Sequence, residues 1–363
     1  MDPLNYSNFI KEQKCPNCGG TVRFVPEKGK IVCEFCDSEF DLQPSQTQIL
    51  GFDFKAFYEG VPQDDSGVLK VYYCKSCGAE VLAASEEASL TCPYCTNKIV
   101  LSDKVSGNLR PNGIIPFKLP KSELKKHLDD FYKDKKLLPK DFFSEGVMEK
   151  VTGLYVPFWL FSGSIGGRFY FSCTKVSSHV SGDYRITETD TYDVVREGVV
   201  SFSDIPLDAS EKIDDALMDS VLPYDFSEVK DFDYGYLAGF AADRFDVPGK
   251  SLQQRAEQRM QSTTLGKVKA AVGFQYTSAS LKSYELKATD ISVKYILLPV
   301  YTFTINYGSS KFKFAVNGQT GKVVGEVPIS KKVSRLYWLK KAAIPAAAVA
   351  IYYILSYFIG WRI

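Results

Sequence analysis

The chain has 363 residues, enough for two or three folded units at roughly 100–200 residues each. Apolar residues make up 45% of it, and 22 Tyr with 25 Phe lean toward strand-rich structure. A formal net charge of +1 gives no electrostatic bias toward nucleic acid, and with only His127 and His179 present a histidine-based active site is disfavoured.

The N-terminal stretch MDPLNYSNFIKEQK has no apolar core of the kind a secretion signal needs. This predicts a reducing, cytoplasmic setting, where paired thiols favour metal over disulfides. Eight of the nine cysteines then fall into four CxxC pairs. The first unit, residues 11–40, reads Cys15-Pro-Asn-Cys18, fourteen residues, then Cys33-Glu-Phe-Cys36. Residues 41–69 form a linker with Phe52, Phe54, Phe57 and Tyr58 in it. The second unit, residues 70–104, repeats the pattern with Cys74-Lys-Ser-Cys77, fourteen residues, and Cys92-Pro-Tyr-Cys95.

The repeated spacing predicts two zinc ribbons. A CxxC turn aims two thiolates at one point, and Gly19 and Gly78 let each first knuckle turn tightly. The spacer is long enough for a hairpin that brings the second pair opposite the first. Val22, Phe24, Ile31 and Val32 are expected to cover site one, and Val81, Leu82 and Leu90 site two. Four cysteines close the coordination shell, which makes both zinc ions structural. Units this small need the metal to fold. Disulfides and an iron–sulfur cluster are the alternatives; spacing and compartment favour zinc. Cys173 stands alone and is expected to be a buried strand residue.

Residues 111–330 are expected to form an α+β domain that is mainly antiparallel β. PNGIIPFKL (111–119) reads as a strand, followed by a helix capped by Ser122 whose Leu124, Leu128 and Phe131 share a face. GLYVPFWLF, GRFYFSCTKV and DYRITETDTYDVV read as consecutive strands, with GGRF (166–169) as a turn. A helical insert spans SEKIDDALMDSVL to PGKSLQQRAEQRM. Strands return with SYELKATDISVKYILLPVYTFTINY and SKFKFAVNGQTGKVVGEV, turning at Gly308 and at Asn317-Gly318. YVPFWLF (155–161) and LLPVYTF (297–303) echo one another, either as related β units or as two strands with similar entrances.

Residues 331–341 are a basic segment with five positive charges: Lys331, Lys332, Arg335, Lys340 and Lys341. Residues 342–361 follow without a charge, long enough at about 1.5 Å per residue to cross a bilayer core of about 30 Å. With Tyr337, Trp338 and Trp361 at its flanks, this predicts one C-terminal transmembrane helix in the cell membrane. The ribbons and central domain would then be cytoplasmic, and the basic flank would contact anionic lipid.

The ribbons, IIPF (114–117), LYVPFWLF, PYDF…YLAGF…AADRFD and NGQTGKVVGE together resemble the bacterial TFIIB-type zinc-ribbon-containing membrane proteins. The ribbon motif is widespread; the central blocks are more specific. The resemblance implies a place beside phage-shock-protein-A-like and SPFH-domain membrane-stress proteins, and brings no catalytic residues with it.

Three functions compete. The first, which the residues favour, is a membrane-anchored adaptor or scaffold that binds protein partners. A nucleic-acid-associated ribbon protein is the alternative. Against it, residues 11–40 hold five Lys/Arg and five acids, residues 70–104 four of each, and each Zn(Cys)4 centre adds about −2. An enzyme is not expected: Asp214-Asp215 and Glu188 with Asp190 read as solvated faces, and neither GGRF nor GQTGK (318–322) matches a phosphate loop.

Overall fold

The computed structural model describes residues 14–42, 52–53, 70–83, 90–94, 98–101, 111–139, 141–142 and 151–359. The first part holds short strands: β1 (Val22–Val25), β2 (Lys30–Cys33), β3 (Glu39–Phe40), β4 (Phe52–Asp53), β5 (Lys70–Tyr73), β6 (Glu80–Ala83), β7 (Leu90–Thr91), β8 (Lys98–Leu101) and β9 (Gly113–Ile114). Helix α1 (Leu124–Lys133) precedes two long strands, β10 (Thr152–Ser181) and β11 (Tyr184–Asp208). Then come α2 (Asp215–Val221), β12 (Lys230–Asp231), β13 (Ala241–Asp243) and α3 (Gly249–Gly273). The chain continues through β14 (Ser278–Tyr307), β15 (Ser310–Asn317), β16 (Val323–Gly325) and α4 (Lys331–Ile359).

Strands β1, β2 and β3 make a small sheet of their own; the other strands join one large sheet built on the antiparallel pair β10 and β14. At the body end, both faces of that pair are buried. Tyr155, Trp159 and Phe161 face one core with Tyr295 and Leu297, while Val156, Phe158 and Leu160 face the other with Ile296 and Leu298. A strand covered on both sides reads as a continuous apolar run, as YVPFWLF and YILLPV do.

The two echoing segments are direct neighbours. Tyr155 pairs with Pro299 and Pro157 with Leu297, a register symmetric about Val156 and Leu298. The flanking strands follow the same symmetry. β13 lies parallel to β10 at Leu154 and Tyr155, and β9 lies parallel to β14 at Ile296 and Leu297.

GRFYFSCTKV does not begin a new strand; it continues β10 without a turn. Its glycines answer crowding instead. A Cβ at Gly163 would lie 2.5 Å from Ile291 Cδ1, and one at Gly167 2.7 Å from the Glu285 carbonyl oxygen. β11, β10 and β14 therefore run outward together as a three-stranded arm. The arm leaves the body at a kink, where both outer strands bulge beside Ser162 and Gly163 and where Asp204 and Asp290 each adopt φ of 55°. α3 braces the arm: Leu252, Ala256 and Met260 pack on the body, and Val272 joins Phe169, Phe171, Val194 and the buried Cys173 farther out.

Other local expectations need revision. PNGIIPFKL pairs as a strand only at Gly113–Ile114, although Asn112 and Ile115 also donate to β14 carbonyls. Pro116, with no N–H, cannot extend the ladder. Ser122 does not cap α1: it sits inside a 3-10 turn, Lys121–Glu123, that leads into the helix, and Leu124 and Leu128 are buried as expected. Gly308 turns at φ 60°, but in the last hairpin the left-handed residue is Gly321, not Gly318. Most of the linker, 43–51 and 54–69, lies outside the described residues; Phe52 and Asp53 pair with β14.

The expected C-terminal membrane span is overturned. α4 forms, but no helix among the described residues is long and apolar enough to cross a membrane. Its first eleven residues carry the five positive charges. The uncharged remainder of the helix, from Ala342 on, contains Pro345 and is rich in Ala, which dilutes its apolar content. The single-pass cell-membrane placement falls with it. Gly360 to Ile363, including Trp361, lie outside the described residues.

Candidate metal centres

In ribbon 1 the antiparallel pair β1–β2 places Val22 beside Cys33 and brings the two knuckles face to face. The Sγ atoms of Cys15, Cys18, Cys33 and Cys36 all lie within 4.8 Å of one another. Cys15 and Cys36 are 3.5 Å apart, as are Cys18 and Cys33. These are non-bonded thiol distances, and all four cysteines are free of disulfides. Tetrahedral ligands at about 2.3 Å from a metal stand about 3.8 Å apart, so a small ion fits the space with little movement.

The knuckles are held by backbone. The Gly19 amide donates to the Cys15 carbonyl and Cys15 donates to Gly20, with Gly19 at φ 73°. In the second knuckle Asp37 takes the left-handed place at φ 55°, donating to the Cys33 carbonyl. The Phe35 amide donates to Cys33 Sγ at 3.4 Å. Without a cation, Cys18 and Cys36 are pushed in opposite directions. The Ser38 hydroxyl and amide hold the Cys36 thiol down, to about 6. At Cys18 the Gly20 amide favours the thiolate, but the neighbouring sulfurs outweigh it and push that thiol up to about 12. A divalent ion removes the conflict by stabilising every thiolate together.

Ribbon 2 repeats the first knuckle closely. Gly78, at φ 76°, donates to the Cys74 carbonyl, and Cys74 donates to Ala79. Cys74, Cys77 and Cys92 cluster within 4.8 Å, with Cys77 and Cys92 at 3.6 Å. Cys95, the fourth expected ligand, lies outside the described residues. Of the expected cover, Val22, Phe24, Ile31 and Val81 are buried and Val32 is half-buried; the side chains of Leu82 and Leu90 are outside the described set.

The two ribbons attach differently. Ribbon 1 leans on the body through Phe24, edge-on to Tyr236 at 5.3 Å, and through Ile31 and Leu42, which close over Gly235. Ribbon 2 is threaded into the large sheet: Leu82 and Val81 pair with Ala242 and Asp243, and Arg244 bridges to Glu80 at 3.2 Å.

Under ribbon 2 lies a polar cluster that sequence reasoning missed. Asp243 is fully buried, accepts from Ser210 Oγ at 2.6 Å and faces Lys212 at 3.5 Å; Tyr94 buries its hydroxyl beside it. Asp208 is also buried, with Oδ1 accepting from the Ser210 amide and Oδ2 unpartnered; burial pushes its carboxyl up to about 8. Three separate segments supply these residues, around Tyr94, Asp208–Lys212 and Asp243, so no local spacing signals them. The acidic runs are elsewhere: Asp214 caps α2, Asp215 pairs with Arg255, and Glu188 and Asp190 stand exposed on β11.

The geometry defines a β protein that carries two cysteine clusters able to bind metal ions. No family model matches the chain, and no solved structure matches it. It is similar to the uncharacterized protein YdjG of Bacillus subtilis (strain 168), 34% identical over 323 residues, which cover 89% of this chain and 92% of that protein. The chain belongs to the YdjG family.

Proposed function

We propose that this protein is a scaffold that holds two structural zinc ions and docks protein partners through its ribbons. The carrying observation is at ribbon 1: four sulfurs close around one point while Phe35, between Cys33 and Cys36, stands 76% exposed. A coordination shell filled by four thiolates has no open position for water or substrate, which suits a structural ion. An aromatic ring on a metal-stiffened knuckle loses little freedom on docking and makes a good anchor.

The charges favour a protein over a phosphate backbone. Arg23 is paired with Glu34, Lys28 with Glu39, and Lys30 with Glu39 and Asp41, so these cations are already neutralised locally. The resemblance described above makes phage-shock-protein-A-like and SPFH-domain proteins the first partners to try. The test is a photo-crosslinking residue placed at Phe35 in the full chain in cells. The proposal expects a protein adduct that disappears with Cys36→Ser. No adduct, an adduct indifferent to that change, or one removed by nuclease would overturn it.

A further inference from the structure

β11 leaves a long edge open. Among the described residues it pairs only with β10, and its register runs without a shift from Phe202 to Tyr184. The direction of its backbone groups follows from neighbouring contacts. The Thr174 carbonyl accepts from the Thr277 amide, and the Val176 amide donates to Thr277 Oγ1. Those β10 groups therefore point toward β14, so the residues paired with them, Thr191 and Thr189, turn their own N–H and C=O away from β10. The Val195 carbonyl agrees, since it accepts from the Arg196 side chain at 3.1 Å. Every second residue from Arg185 to Val199 thus offers a donor and an acceptor outward. Val199 and Tyr184 are 68% and 77% exposed along the same strand.

The other edge of the arm is protected. β14 shifts register at Lys282, bulges again at Asp290, and carries Lys282 and Lys287, features that discourage strand addition. The open edge has charges that match themselves in reverse. An antiparallel pair of β11 strands centred on Tyr192 sets Glu188 of each copy opposite Arg196 of the other, with no like charges directly opposed. Arg196 has only the neutral Gln275 side chain and the Val195 carbonyl as described partners. Asp193 would lie diagonal to its own mate, and each is already paired with Lys282 at 2.6 Å. Centring one residue earlier would need Glu197, which Arg168 already holds at 2.8 Å. A parallel pair in register would set each charge on its like.

We propose that a second copy of this chain adds to the open edge, β11 against β11, about a two-fold axis at Tyr192. The overlap runs from Tyr184 to Val200, about 55 Å at 3.4 Å per residue, and joins two three-stranded arms into one sheet. The proposal is independent of the ribbons and of what they bind.

Light scattering and sedimentation equilibrium of the full chain across a concentration series provide the test. A dimer is expected. Thr191→Pro removes an outward N–H in each copy and leaves the β10 ladder intact, so the dimer dissociation constant should rise about tenfold or more. Glu188→Arg should weaken association by a similar factor, and Glu188→Arg with Arg196→Glu should restore it. The double exchange keeps the proposal open to failure even if the proline variant misfolds. A wild-type monomer at every concentration, a folded Thr191→Pro protein that dimerises normally, or a double variant no better than Glu188→Arg would overturn it.

Discussion

The two ribbons share one ligand spacing and one knuckle, yet they are joined to the molecule in different ways. Ribbon 1 keeps its own sheet and touches the body through side chains around Phe24, Ile31 and Gly235 and through one backbone bond, from the Phe24 amide to the Ala238 carbonyl at 3.0 Å. Ribbon 2 lends β6 to the large sheet and covers a buried carboxylate cluster. Losing an ion should therefore have local consequences at ribbon 1 and wider ones at ribbon 2, because the second contributes a paired strand to the large sheet whereas the first is tied to the body's backbone by the single bond from the Phe24 amide to the Ala238 carbonyl among the described residues.

The largest effect should come from Cys92→Ser. Without its ion ribbon 2 cannot hold β6 against β13, and the melting temperature of the body should fall by about 5–10 °C in calorimetry. An unchanged body transition would break the distinction between the ribbons. Next is the seam of ribbon 1. A Cβ at Gly235 would lie 2.4 Å from Leu42 Cδ2 and 2.7 Å from Ile31 Cδ1, so Gly235→Ala should cost about 1–3 kcal/mol and speed amide exchange in β1–β3. The metal content should stay unchanged, since no ligand moves.

The seat of ribbon 2 should also respond to pH. Folding raises the Asp208 carboxyl from its ordinary 3.8 to about 8 through burial. Protonation of the folded state therefore adds stability that is complete below about pH 4 and is lost as pH rises through about 8. Asp208→Asn has no charge to bury. It should be more stable than the parent by about 1–2 kcal/mol at pH 9, and no more stable at pH 4, in denaturant titrations. A constant difference across that range would contradict the assignment. The smallest effect on the body should follow Cys33→Ser, which empties ribbon 1 but shifts the body transition by about 2 °C or less.

The sequence carried the ribbons well because each is local. Four cysteines, a glycine in the left-handed region and a short hairpin lie within about thirty residues, so spacing alone locates Cys15, Cys18 and Cys33 near Cys36. Helix α1 was legible for the same reason, through Leu124 and Leu128. The arm was not. Gly166 and Gly167 look like a turn until Leu286, more than a hundred residues away, is seen to crowd Gly167. The polar cluster is equally non-local, since Tyr94, Asp208 and Asp243 meet only after the sheet closes. At the C-terminus, period and composition located a helix correctly, but an uncharged run is a weaker signal than its apolar length. Pro345 and the alanines dilute that length.

Elemental analysis joined to native mass spectrometry of the purified full chain tests the central claim most directly. The account predicts two zinc ions per chain, one after Cys33→Ser or Cys92→Ser, and none when both are changed. Zinc below one ion per chain, or iron with sulfide and visible absorbance in its place, would contradict it.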